Sequence, residues 1–191
     1  MTDITISDAA DLVDLQGPML DRSSAAVKKG RVLISMDASG SLLMQNDPNP
    51  HTGWTDKFVA EHNNETFLAI SDTSIIEIVL TGLTTWQFDV DMGLLEFKKA
   101  SNKRWYGISY SQGQPKIKNI LLNASPSGLP QNTEDARHSF NLMLKIGQTS
   151  PSGKPGRSLS VIIDPDAKNP PPIGSMVDPQ SLPVPLLSLT A

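Results

Sequence analysis

Three histidines, His51, His62 and His138, and two close aspartate pairs are the side chains of this sequence whose chemistry reaches beyond packing. Histidine metal sites favour two rings two or four residues apart, and neither spacing occurs here. His51 falls in the loop run Asp-Pro-Asn-Pro-His. His138 opens a strand on which alternation is taken to turn it outward, so the histidines are expected as surface or hydrogen-bonded structural groups. No serine sits in Gly-x-Ser-x-Gly or Ser-x-x-Lys surroundings, and no glycine-rich phosphate loop is present. The residues therefore name no catalytic group, and the expectation is a protein that is not an enzyme.

The aspartates offer a different chemistry. Asp89 with Asp91, and Asp164 with Asp166, are two residues apart and so share a strand face or strand end. Loop-tip carboxylates of a β domain can hold calcium through oxygen ligands, although neither pair has the ligand series of an EF-hand. Solvated turn aspartates are the plainer reading, and no cofactor is expected, calcium being the alternative. Aromatic side chains supply one more candidate: Trp54 in a Thr-Gly-Trp-Thr loop, with one of the neighbours Trp105 and Tyr106, which on one strand must face opposite ways. Those rings suit stacking on a sugar or a small apolar ligand.

Composition narrows the classes further. The 191 residues contain no cysteine, which removes disulfides, thiolate metal sites and cysteine nucleophiles. A net charge of -4 gives no general attraction for phosphate backbones, so nucleic acid is not expected as a partner. No stretch reaches the roughly 18–20 apolar residues of a membrane helix, and the polar, acidic start lacks the order of an export signal. A cytoplasmic protein is expected.

The elements that would position these groups are strands. Val32–Asp37 and Ser41–Met44 flank a turn signal ending at Gly40 and read as a hairpin. Thr66–Ile70 and Ser74–Leu80 are β-branched runs, the second apolar enough for the middle of a sheet. Thr85–Val90 alternates, with Trp86, Phe88 and Val90 on one face. Arg137–Ile146 alternates over ten residues, with Phe140, Leu142, Leu144 and Ile146 inward. Short strands are also expected at 94–97, 104–110, 116–122 and 158–163, with no long amphipathic helix. The fold class is all-β, an antiparallel sandwich or jelly roll spanning 31–166. Residues 1–30 and 167–191 are read as N- and C-terminal arms, the second extended and proline-rich.

The closing stretch Val-Ile-Ile-Asp164-Pro165-Asp-Ala-Lys-Asn169-Pro170 resembles the end of the small bacterial β-sandwich proteins of the DP-EP family. More remotely it is similar to PixA/AidA-type inclusion-body proteins. The resemblance implies a cytoplasmic, non-enzymatic sandwich that assembles, with no catalytic residues to carry over. Together with the apolar tail residues Leu182, Val184, Leu186, Leu187 and Leu189, it leads to the expectation of a structural homo-oligomer whose arms dock on neighbouring subunits. The alternative is a carbohydrate- or small-molecule-binding module, calcium-assisted or not.

Overall fold

Short runs of β-branched and aromatic residues, broken by glycine, proline and aspartate, leave this chain little but extended structure to adopt. The computed structural model describes residues 12–36, 42–62, 65–82, 85–112, 114–125, 137–149, 155–163, 166–168 and 183–184. In chain order the strands begin with β1 (Leu12–Gln16), β2 (Lys28–Met36), β3 (Leu42–Asn46), β4 (Val59–His62) and β5 (Glu65–Ala69). Next come β6 (Ser74–Leu80), β7 (Trp86–Phe88), β8 (Leu95–Phe97), β9 (Tyr106–Ser111) and β10 (Asn119–Ala124). The series closes with β11 (Arg137–Thr149), β12 (Pro155–Ile163), β13 (Asp166–Lys168) and β14 (Pro183–Val184). A 3₁₀ helix over Ala100–Trp105 precedes β9. The fold is all-β, as the strand spacing predicts. No helix among the described residues is long and apolar enough to cross a membrane.

One sheet has the order β1-β9-β10-β6-β2-β3-β14, and a second runs β12-β11-β13-β5-β4, with β7 and β8 also paired to β11. Most pairings are antiparallel. Two are parallel: β2 with β6, and β5 with β13. Parallel neighbours need a crossover, and between β2 and β6 the chain makes it through β3, β4 and β5 instead of a helix.

The facing sides of the two sheets share one apolar core. The first sheet contributes Val32, Ile34, Ile76, Ile78, Ile108 and Leu122, and the second Leu68, Phe140, Leu142 and Leu144, with Trp86 and Phe88 from β7. β6 is buried along its whole length and sits in the centre of its sheet, as its composition predicts. Period-2 alternation then decides which of its residues see the core. Ile76, Ile78 and Leu80 do, while Ile75 belongs to a separate cluster on the sheet's other face, with Trp54 and Leu121.

Segments of both expected arms pair with the sheets. Leu12–Gln16 pairs along β9, and Asp166–Lys168 re-enters the second sheet between β11 and β5. Pro183–Val184 pairs with β3. A strand that starts after Pro165 needs no N–H from the proline, which is how the chain pairs again beyond a residue that ends a ladder. Asp164 and Pro165 lie outside the described residues.

Lys118, just before β10, is half-buried, and burial first, then the Lys116 charge, pulls its ammonium down to about 8. Below that pH the ammonium is charged in both folded and unfolded chains. Between about 8 and the ordinary 10.5 only the unfolded chain keeps the proton, so this group makes stability rise with pH there. The urea midpoint of Lys118→Met should therefore climb less steeply with pH across this window than that of the natural protein. Equal slopes would mean Lys118 carries no such penalty.

Candidate functional site

The register of the parallel β2–β6 pair sets Arg31 directly beside Glu77. Both belong to the strand positions that face away from the main core, yet neither reaches water: Glu77 is fully buried and the Arg31 side chain is 5% exposed. Arg31 Nε lies 3.2 Å from Glu77 Oε2. Its Nη1 donates to Asp47 Oδ2 at 2.7 Å, with Asp47 almost as deeply buried. Asn119, on the neighbouring β10, donates from Nδ2 to Glu77 Oε1 at 2.9 Å. His51 closes the group, its Nε2 3.6 Å from Glu77 Oε2 and its side chain 25% exposed.

What covers these charges is the β3–β4 connection, Asp47 to Phe58, folded back over the outer face of the first sheet. Backbone bonds pin it at both ends: Asp47 N donates to Arg31 O at 2.9 Å, and Asp56 N donates to Lys29 O at 2.9 Å. Asn46 holds the return, its Oδ1 accepting from Phe58 N and Val59 N at 2.8 and 2.9 Å. Gly30 bridges Thr55, and a Cβ at Gly30 would fall on the Asp56 carbonyl oxygen and the Phe58 ring. Only glycine lets the connection lie this close to β2.

Between the connection and the sheet is a cleft of about 370 Å³, within the roughly 300–1,000 Å³ usual for small-molecule sites. Pro48, Pro50 and Trp54 give it apolar walls; Arg31, Asp47, Asp56 and Lys57 supply opposed charges. Trp54, singled out in the sequence for its loop, thus lines the cleft while packing on Ile75 and Leu121.

Stability alone does not account for such a cluster. Replacing a buried ion pair with well-packed apolar residues is often neutral or favourable by about 1–4 kcal/mol. Buried charge clusters beside a cleft occur at binding and catalytic sites as well as in structural ion-pair networks.

The other sequence candidates are not brought together. Trp105 ends the 3₁₀ helix instead of sharing a strand with Tyr106; it is half-buried, with the Arg104 guanidinium 4.8 Å over its ring. Tyr106 starts β9 and is buried in the core, stacked on Phe97 at 4.3 Å. It therefore lies across the first sheet from Trp54. The Tyr106 hydroxyl and His138 Nδ1 share a 2.6 Å hydrogen bond, and burial pushes the phenol well above its ordinary range. The outward expectation for His138 is corrected here: the two-residue period that puts Phe140 inside puts His138 inside as well, and it is buried.

Asp89 is buried and Asp91 exposed, with the Lys145 ammonium between them at 3.4 and 3.0 Å. Ser160 donates to Asp89 Oδ2 at 3.1 Å. The lysine thus occupies the position considered for calcium, and the carboxylates, Asp91 first, hold its ammonium above the ordinary lysine range. Among the described residues no three acidic, histidine or cysteine groups gather as a metal site would require. Asp164 lies outside the described residues. Asp166 is placed as the first residue of β13. Of the five apolar tail residues, Val184 pairs with Leu42 of the same chain, and Leu182, Leu186, Leu187 and Leu189 lie outside the described residues.

Fold and site together define an all-β protein with a polar cleft on the outer face of a sheet, closed by one pinned connection. The chain belongs to the family described as a predicted novel nucleotide synthetase, whose model matches residues 26–172, the segment that carries the whole cleft. No curated protein and no solved structure matches the chain. The family match corrects the resemblance drawn from the Asp164-Pro165 stretch: this is not a DP-EP or PixA/AidA-type protein. It also overturns the non-enzymatic structural, self-assembling role and the glycan-binding alternative, because the family's description is that of an enzyme. A short Asp-Pro ending recurs wherever a strand stops at proline, so it carries little family information.

Arg31, Asp47, Glu77 and Asn119 were not legible as site residues. The one signal was a lone glutamate inside the otherwise apolar Ser74–Leu80 run, a charge that a central strand buries only with partners. Removing one member of a buried pair strands the other, which typically costs about 3–5 kcal/mol. Glu77→Ala should lower unfolding free energy by about that much in urea titrations. Asp72→Ala, which breaks a half-exposed pair with Lys28 at 2.7 Å, should cost under about 1 kcal/mol. Equal losses would place the Arg31–Glu77 pair among ordinary surface contacts.

Proposed function

We propose that this protein is a nucleotide-forming enzyme and that its nucleotide site is the cleft between the β3–β4 connection and the first sheet. The observation that carries the reading is the coincidence of a nucleotide synthetase family match with a cleft lined by the buried Arg31–Asp47 pair, whose arginine is held from behind by Glu77. The cleft's chemistry is compatible with a nucleotide in parts. Pro48, Pro50 and the Trp54 indole offer flat apolar surface to a base. Exposed Lys57 supplies a cation for a phosphate, and the carboxylates of Asp47 and Asp56 accept hydrogen bonds from base amines or ribose hydroxyls. A cytoplasmic location goes with this reading, since free nucleotides are cytoplasmic substrates.

Calorimetric titration with ATP, CTP, GTP and UTP tests it. At least one should bind, and Lys57→Ala should weaken it about fivefold, the roughly 1 kcal/mol of an exposed charge contact, with the chain still folded. Failure of all four to bind, or indifference of the binding to Lys57→Ala, would remove the cleft as the nucleotide site.

A further inference from the structure

The charges at the cleft are weighted towards carboxylates. Of its lining side chains, Asp47 and Asp56 are anionic and Arg31 and Lys57 cationic. Glu77 stands directly behind Arg31, so the guanidinium lies between two carboxylates, 2.7 Å from Asp47 and 3.2 Å from Glu77. Its single positive charge is already outweighed there. A protonated His51, 3.6 Å from Glu77, would do no more than balance the group. Lys57 is exposed, where water and salt weaken a charge contact.

The backbone offers a phosphate no better reception. Phosphates are cradled by runs of backbone N–H groups turned towards the ligand, at glycine-rich loops or helix N-termini. From Asp47 to Pro50 no such group is left. Asp47 N donates to Arg31 O at 2.9 Å and Asn49 N to Asp47 Oδ1 at 2.8 Å, while Pro48 and Pro50 carry no N–H. Further along, the amides of Trp54 and Asp56 donate to His51 O and Lys29 O. The Asn46 side chain is turned to the connection, accepting from Phe58 N and Val59 N and donating to Val59 O. The lining is thus strong in acceptors, the Asp47 and Asp56 carboxylates, set beside the apolar surface of Pro48, Pro50 and Trp54. Carboxylate oxygens accept more than one hydrogen bond each, so those already bonded can take another.

Carboxylates repel phosphates and accept from uncharged donors, which on a nucleotide are base amino groups and ribose hydroxyls. Aromatic and proline surface suits the face of a base. Resting on the reading of the cleft as the nucleotide site, we propose that the substrate it recognises is a nucleoside with an amino-bearing base, bound through base and ribose, and that any phosphates stay outside beside Lys57. Uracil fits worst, because its edge donor lies between two carbonyl oxygens that a carboxylate repels.

Calorimetric titration of the full chain with adenosine, cytidine, guanosine and uridine, each beside its triphosphate, tests this. At least one amino-bearing nucleoside should bind within about tenfold of its triphosphate, since only an exposed charge contact is lost. Uridine should bind about fivefold or more weakly than that nucleoside, the scale of one hydrogen bond. Lys57→Ala should weaken the triphosphate about fivefold and the nucleoside less than about twofold. Asp56→Asn keeps an oxygen for Lys29 N while removing a negative charge, and should raise triphosphate affinity relative to nucleoside affinity about threefold. If Asp56→Asn does not fold, the nucleoside comparison and Lys57→Ala still decide. Triphosphates that bind while every nucleoside is more than about tenfold weaker, uridine within about fivefold of the best nucleoside, or a ratio that Asp56→Asn fails to raise overturns the nucleoside assignment and leaves the cleft reading intact. Absence of binding by every nucleoside and triphosphate overturns both.

Discussion

The buried Arg31–Glu77 pair is the constraint around which the outer face of the first sheet is organised. Two unlike charges sealed from water on adjacent parallel strands would be costly if either lacked a partner. Each is therefore secured again: Arg31 by Asp47, Glu77 by Asn119, with His51 at the open side. Asp47 begins the β3–β4 connection and His51 continues it. The electrostatics of the pair and the path of that connection are thus one problem with one solution.

Packing serves the same end. Gly30 allows the connection to lie against β2, and Asn46 satisfies the backbone where the chain turns back. Trp54 then caps the apolar part of the outer face over Ile75 and Leu121. What remains open between these fixed points is the cleft. Its sheet side is formed by Arg31 of β2 and Asn46 of β3, and its wall belongs to a connection held at both ends. A binding surface built on sheet centre and loop together combines fixed charges with an adjustable side.

Much of the fold was legible in the residues because alternation is a local property. Ser74–Leu80, Trp86–Phe88 and Arg137–Ile146 all lie where their patterns put them. The site was less legible because it depends on register. Nothing local says that Arg31 will stand beside Glu77, since a parallel pairing across β3, β4 and β5 joins residues distant in the chain. Trp54 was visible as an aromatic in a loop, whereas His51, in the same loop, read as a surface group because its carboxylate partner lies on β6. Trp105 and Tyr106 failed as a ligand pair for a local reason, the 3₁₀ helix that separates them from a common strand. The basic residues Lys98, Lys99, Lys103 and Arg104 are close in sequence and exposed.

The central claim is that nucleotides meet this protein at the β3–β4 connection. Backbone amide shifts of the ¹⁵N-labelled chain, followed while ATP, CTP, GTP or UTP is added in turn, locate the contact directly. The account predicts that the largest changes fall between Asp47 and Lys57 and at Arg31. Changes concentrated at the basic stretch Lys98–Arg104, with the connection silent, would contradict it.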